Sequence, residues 1–527
     1  MANYITTDSE LTSIADAIRT KGGTSAPLTY PAGFVDAIDS IPSGGGGSAS
    51  SEDDVRFIDY DGTIVNSYSA EDFLALSAMP ANPSHEGLTA QGWNWSLADA
   101  KAYVQSYGML DIGQMYITTS GATEIDIKMV EGRLSPVCGI GVNGKASIDW
   151  GDNTSLDIIT GTDVSVRQNT THIYLTPGFY TVKISAVEGE IGICGGNNVR
   201  SYLLYSGTNT YSGLNQAYQY SVKAIRLGNN ISYFQQYSLG ALGELRTITI
   251  PSYATSMFNA NYVMHGCDAL KCLIIPAGTE QVSNPFTSYS MKFISLPSSL
   301  RICAIGIGSS AITRLFIPDG VTSFSTASSS AYALNILIIA CATTLPNYAY
   351  SDNRSIEKVK IPNVLSIGNS AFGSCYSLRT VELSNSLTSI GNSSFQNCFN
   401  LEKLIIPETV TTISGAAFYG CRSLREVEIP SSVTTLGNQA FSYCYSLTKI
   451  TFKSAVTIPA TLCQIDGSLA IVDLSELTTV PSLANVNAFD STPSDMQILV
   501  PSTLLSEFQS ATNWSAYASQ MVGVTRG

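Results

Sequence analysis

The chain has 527 residues, 44% hydrophobic and only 13% charged, so it can bury large cores and should divide into three or four domains. A net charge of −14, with no Lys/Arg run, excludes the electrostatic footprint of a nucleic-acid binder and disfavours an anionic membrane surface. No stretch approaches about 18 consecutive apolar residues, so no membrane insertion is expected.

At the amino terminus, Thr7 and Glu10 form a capping box, and Leu11, Ile14, Ala15 and Ile18 follow with helical spacing. A helix is predicted over roughly 8–20, and a second, short one from Pro31 carries Phe34, Val35, Ile38 and Ile41. Two such helices bury little by themselves, so residues 1–41 are expected to be a helical module that packs on another chain or in a homo-oligomer. No charged segment precedes an apolar run here, which predicts a chain made and folded in a cytoplasm, with its eleven cysteines as thiols. "PSGGGGSASSEDD", residues 42–54, reads as a flexible linker.

Residues 55–113 are expected to form a small α+β unit: a strand at "VRFIDYDGTIV", then helices near 69–77 and 96–107. Residues 114–190 look all-β, with "ASIDWGDNTS" followed by "HIYLTPGFYTVKISAV". Through Trp150, Gly151, Asp152, His172, Tyr174, Pro177, Gly178, Tyr180 and Val182 this region resembles the polycystic-kidney-disease (PKD) type of immunoglobulin-like domain. The resemblance implies a β-sandwich acting as a spacer or carbohydrate-associated module.

From about residue 199 a repeat takes over, and residues 191–490 are expected to be a solenoid. Its leading apolar positions are Val199, Val222, Leu245, Leu270, Met291, Ile312, Leu334, Ile356, Leu378, Leu401, Leu424, Leu447 and Leu469, spaced 21–25 residues apart, which makes about thirteen coils. Each L-x-x-L-x-I core reads as one short parallel strand, ended in many coils by proline. Three residues before the leading positions from Leu270 to Leu447 lies a small or weakly polar residue, Cys375, Cys398, Cys421 and Cys444 among them. Six residues before it lie Met264, Tyr350, Phe372, Phe395, Phe418 and Phe441, a second buried column. The pattern "IP..VT.I...AF..C..L..V.IP", cleanest from Pro407 to Pro430, resembles the leucine-rich repeats of the treponemal surface-antigen (BspA-like) type. Residues 491–527, with Leu504, Leu505, Phe508, Trp514, Tyr517 and Met521 on one helical face, are expected to cap the open end. The fold class is thus mostly β and multidomain: a helical module, a PKD-type sandwich, and a leucine-rich-repeat solenoid with a helical cap.

Three features invite a chemical reading. "FIDYDGTIV" fits the D-x-D-G-T of haloacid-dehalogenase-type phosphatases, which would make Asp59 the nucleophile and Asp61 the acid/base. Too few residues remain before the next region for that fold, and Lys101 is the only lysine between 54 and 127, so a hairpin turn is favoured. His265, Cys267 and Cys272 could be drawn as metal ligands, but Cys267 falls on the small-residue column and no further ligand is evident; His85 and His172 have no matching nucleophile motif, and His172 reads as a packed strand residue. The stacked cysteines could pair, bind metal, or serve as small apolar fillers with a weak donor; Ser, Ala and Asn in the same column favour the third reading. No catalytic residue, metal or cofactor is therefore expected.

The residue just past the column should point outward. There lie Tyr289, Tyr332, Arg354, Tyr376, Phe399, Arg422 and Tyr445, a candidate receptor-binding stripe of Tyr and Arg. A ladder that only shields coil edges explains them equally well. The segment "YITTDSELTSIADAIRTKGGTSAPLTYPAGFVDAI", with "HEGLTAQGWNWSLADAKAYV" and "ATNWSAYA", resembles tail-fibre and other virion proteins of phages and prophages of Gram-positive bacteria. The resemblance implies a non-enzymatic tail-fibre or tail-tip adhesin, made in the host cytoplasm and located in the virion tail. Residues 1–41 would dock to other tail proteins, and the repeats would bind host-cell surface polysaccharide or protein. Fibres of this kind are often trimers. A bacterial surface adhesin with the same repeats is the alternative, ahead of a phosphatase.

Overall fold

The computed structural model describes residues 54–527 except 197–199, 202, 205–221, 288–289, 307–309, 327–332, 342 and 526–527. The expected helical module 1–41 and nearly all of the linker lie outside the described residues, as do Val199, Tyr289 and Tyr332.

Residues 55–118 form a four-stranded sheet with two helices, where one strand and helices near 69–77 and 96–107 are expected over 55–113. Strands β1 (Val55–Ile58), β2 (Ile64–Tyr68), β3 (Leu88–Trp93) and β4 (Leu110–Thr118) pair in the order β2-β1-β4-β3. Helix α1 (Ala70–Ala75) starts at Ser69, whose side chain accepts the Asp72 N–H. Helix α2 (Leu97–Tyr107) starts in the same way at Ser96 and ends at Gly108 in the left-handed conformation. Its buried residues, Ala100, Tyr103, Val104 and Tyr107, form one helical face.

That face does not close on its own sheet alone. Phe57, Phe73, Trp93, Trp95 and Tyr103 share a core with Phe316, Ile336, Ile338 and Ala340 of the solenoid. Asn94 Nδ2 donates to the Ile275 carbonyl at 2.9 Å, and Trp95 Nε1 to that of Leu296 at 2.7 Å. The unit therefore lies over the strands of the early coils. This explains their composition: Arg314–Ile317 and Ile336–Ile339 are buried at every position, whereas Glu426–Ile429 alternates exposed and buried. Cys272 falls on this covered face, packed with Ile58, Met115 and Ile274.

Beyond the unit come β5 (Thr123–Met129), β6 (Val137–Asp149), β7 (Asp157–Thr171) and β8 (Gly178–Ile193). The two facing sheets expected of a sandwich over 114–190 are not shown. These strands pair in one seven-stranded sheet that also recruits β9 (Val222–Arg226), β10 (Ile231–Phe234) and β11 (Thr247–Thr249) from the first coils of the repeat. The physical reason is an open edge on β5: β9 pairs with it antiparallel, and β11 then joins β9 in the parallel manner of the solenoid. A single hydrophobic core consequently runs from Ile125 to Met521.

In the solenoid, strands pair in parallel with counterparts one coil on, as Val359 with Val381 and Val427 with Ile450, in ladders interrupted between Thr247–Thr249 and Cys272–Ile274 and between Phe293–Ser295 and Arg314–Ile317. A second ladder joins Ser366–Ile367, Ser389–Ile390, Thr412–Ile413 and Thr435–Leu436. One coil departs from the expected strand: between Leu401 and Pro407 only a single bridge, Thr380 to Lys403, forms, and Ile405 is left 66% exposed. The carboxyl-terminal cap is present but is not one helix. Helix α3 (Leu505–Ser510) gives way to a 3-10 turn, Trp514–Gln520, and a strand, Met521–Val524, that joins the sheet. Phe508 and Trp514 are buried there, and Trp514 Nε1 donates to the Pro481 carbonyl.

Candidate binding surface

In four successive coils the outer turn is built by two residues held at positive φ. Ser370 and Ser374, Ser393 and Asn397, Ala416 and Gly420, and Gln439 and Tyr443 all take this conformation. The turn runs around the ring column, and its N–H groups reach the next coil: Phe372 to the Ser394 carbonyl, Phe395 to Ala417, Phe418 to Ala440. The rings beneath are stacked. Phe372, Phe395, Phe418 and Phe441 have centroids 5.3–5.4 Å apart, the spacing of successive coils.

The cysteine column is a donor ladder. Cys398 Sγ donates to the Phe372 carbonyl at 3.3 Å, and Cys421 and Cys444 donate to Phe395 and Phe418 at 3.4 Å. All eleven cysteines are free and buried. Burial pushes every column thiol up, Cys267 to about 12, so none is a ready nucleophile. Of the three readings, the small apolar filler with a weak donor is the one the geometry matches.

One residue past that column, five stripe members meet in order. The Arg354 guanidinium lies 5.4 Å from the Tyr376 ring centroid, and Tyr376 stacks on Phe399 at 4.8 Å. Arg422 then lies 4.1 Å from Phe399 and 5.7 Å from Tyr445. Arg354, Arg422 and Tyr445 are exposed, while Tyr376 and Phe399 are half-buried. Stacking covers the faces of the inner rings, so they present edges to solvent. Tyr445 differs: the next coil carries Gly467 in this register, with open space where a side chain would stand. Tyr419 and Tyr443, which the one-past-column spacing does not select, extend the patch: Tyr443 lies 4.8 Å from Tyr419 and 6.1 Å from Tyr445.

The other candidates find structural partners. Asp59 is buried at the end of β1, where its carboxylate meets His85 Nε2 at 2.6 Å and its carbonyl accepts from Gly62 N–H, so "YDG" closes a hairpin. Asp61 caps the same turn by accepting the Thr63 N–H. The Asp59–His85 pair joins residues 26 apart and has no local sequence signal. His172 follows the last residue of β7, stacks on Trp150 at 4.8 Å and pairs with Asp152 at 2.7 Å. His265 meets Tyr237 and Tyr262 edge-on, Cys267 donates to the Leu239 carbonyl, and Cys272 donates to the Asp59 carbonyl. No metal-binding group of three His, Cys, Asp or Glu forms among the described residues.

Residues 215–333 and 343–463 match the BspA type leucine rich repeat region, in six copies. Among solved structures, the chain is similar to a leucine-rich repeat protein from Bacteroides ovatus, 19% identical over 61% of this chain and 98% of that one, with a TM-score of 0.39. It is similar to the T. pallidum leucine rich repeat protein at 21% identity, over 37% of this chain and 84% of that one, with a TM-score of 0.29. A leucine rich cell surface protein from Faecalibacterium prausnitzii is 27% identical over 44% of this chain and 73% of that one, with a TM-score of 0.27. No curated protein matches the chain. The periodic columns and the family match agree: this chain carries leucine-rich repeats of the BspA type.

Proposed function

We propose that the chain is a non-enzymatic adhesin of phage tail-fibre or tail-tip type, binding a host-cell surface glycan or protein through its repeats and docking to other tail proteins through residues 1–41. The observation that carries the binding reading is the continuous ladder of Arg354, Tyr376, Phe399, Arg422 and Tyr445 on the outside of the solenoid. A ladder fixed by its own stacking loses little side-chain entropy on binding. It offers ring edges, tyrosine hydroxyls and guanidinium N–H groups, which suits a partner rich in hydroxyl or carboxylate oxygens. Tyr445, 43% exposed beside Gly467, adds the open face on which a ring can stack.

The test uses the full chain, because a cut near residue 191 would pull β9 from β5. Binding to a panel of Gram-positive cells is measured by flow cytometry for wild type, Arg422→Ala and Tyr445→Ala. Each variant should weaken binding at least about tenfold, as a hot-spot truncation does. Unchanged binding in both would overturn the stripe as the receptor site.

A further inference from the structure

A second site of different chemistry lies on the solvent face of the seven-stranded sheet. Along β5, Ile125, Ile127 and Met129 point into the core, which leaves Glu124, Asp126 and Lys128 outward. Lys128 stands opposite Phe179 of β8, and Asp126 opposite Thr181. On the other side Arg226 of β9 stands opposite Glu124, and the Arg246 backbone N–H bonds to the Lys223 carbonyl, bringing both cations to the same face. The result is a cleft of about 610 Å³ whose lining includes Lys128, Phe179, Tyr180, Lys223, Arg226 and Arg246. That volume is within the range of small-molecule sites.

The charges are unevenly satisfied. Asp126, the one carboxylate lining the cleft, is already used: Arg226 grips it with two hydrogen bonds of 2.6 and 2.7 Å, and Thr181 adds a third at 2.8 Å. Burial works against its charge, but these bonds prevail and hold its carboxyl below the usual range. Lys223 pairs with Glu244 at the rim. Lys128 has the face of Phe179, 5.5 Å away, and no carboxylate partner among the described residues; neither has the exposed Arg246. Burial, then Arg246 and Lys128, depress Lys223, which thus sits in the field of the other two cations. Such a cluster, in a chain of net charge −14, is an arrangement that an anion would relieve. Phe179, 74% exposed between these cations and Tyr180, adds an apolar platform.

We infer that this cleft binds an anionic saccharide unit, its carboxylate or phosphate held by Lys128, Lys223 and Arg246 and its ring laid against Phe179. The site shares no residue with the Arg–Tyr ladder and stands independently of it.

Isothermal titration of the full chain is carried out with a glucuronate-containing tetrasaccharide, a phosphodiester-linked tetrasaccharide, inorganic phosphate and neutral maltotetraose. At least one anionic saccharide should bind, more weakly as salt rises, and maltotetraose should not; which saccharide wins distinguishes carboxylate from phosphodiester sources. Arg246→Gln, an exposed position whose replacement leaves the fold intact, should weaken that binding about tenfold, the loss of one charge-assisted hydrogen bond. Phe179→Ala should weaken the anionic tetrasaccharide more than inorganic phosphate. Arg422→Ala should change nothing here, which separates this site from the ladder. Binding of maltotetraose as tight as that of the anions, no binding of either anionic saccharide, or an unaffected Arg246→Gln variant would overturn the inference.

Discussion

Replacing Asp466 by Asn should remove a pH dependence that the fold has built into its last coils. Asp466 lies 22 residues past Cys444, in the column that Cys375, Cys398, Cys421 and Cys444 fill in the coils before it. It is fully buried; Oδ1 accepts the Cys444 N–H at 2.7 Å, and Oδ2 has no hydrogen-bond partner. Burial pushes its carboxyl from the usual 3.8 up to about 8. Between those values the folded chain holds a proton that the unfolded chain releases. Stability is therefore undiminished below about pH 4, falls as pH rises through the window, and levels off above about pH 8. Each pH unit costs about 1.4 kcal/mol, so the ceiling is on the order of 6 kcal/mol. Asn keeps the acceptor for Cys444 and does not titrate. Hydrogen exchange of residues 444–475, corrected for the intrinsic effect of pH, is compared at about pH 5 and about pH 8. Wild type should lose roughly 2–5 kcal/mol of protection between the two, and Asp466→Asn much less. The same loss in both proteins would refute the reasoning.

The thiol ladder makes a chemical prediction: a thiol-specific reagent should label none of the eleven cysteines in the folded chain and all of them after denaturation. Rapid labelling of Cys398 or Cys421 in the native protein, or incomplete labelling once unfolded, would contradict it. Phe418 sits fully buried between Phe395 and Phe441, so Phe418→Ala should cost about 3–5 kcal/mol. Because coils contact mainly their neighbours, the damage should be local, with limited proteolysis opening the chain near 395–441 first. Cleavage spread evenly along the solenoid would argue against it.

Much of this was legible in the sequence because it is local and periodic. The cysteine and phenylalanine columns, the capped helices α1 and α2, and the turn at "YDG" each follow from residues close together. What was missed depends on distant partners. Nothing near Asp59 announces His85, and nothing near β5 announces that Val222–Arg226 of the repeat will pair with it, so a domain boundary was placed where one sheet is continuous. One local signal of the covered face does exist: "LFIP" and "ILII" are apolar throughout, whereas "VEIP" alternates. A strand buried on both faces writes that difference into its residues. The stripe was placed by register alone. Its ring faces, however, are closed by one another, and that depends on coil spacing.

The α+β unit laid across the early coils also has a mechanical meaning. Asn94 and Trp95 hold the Ile275, Ser295 and Leu296 backbone of adjacent coils, and Phe316, Ile336 and Ile338 are locked beneath the same unit, so that part of the spring is braced. Asn363 Nδ2 still donates to the Tyr107 hydroxyl at 3.2 Å, and beyond that coil Thr380–Leu383 and Glu426–Ile429 keep a solvated strand face. The ladder begins at Arg354, in the coil that carries this last contact. A pull applied there would be taken up first by the bending of the distal coils, while the proximal half keeps its shape.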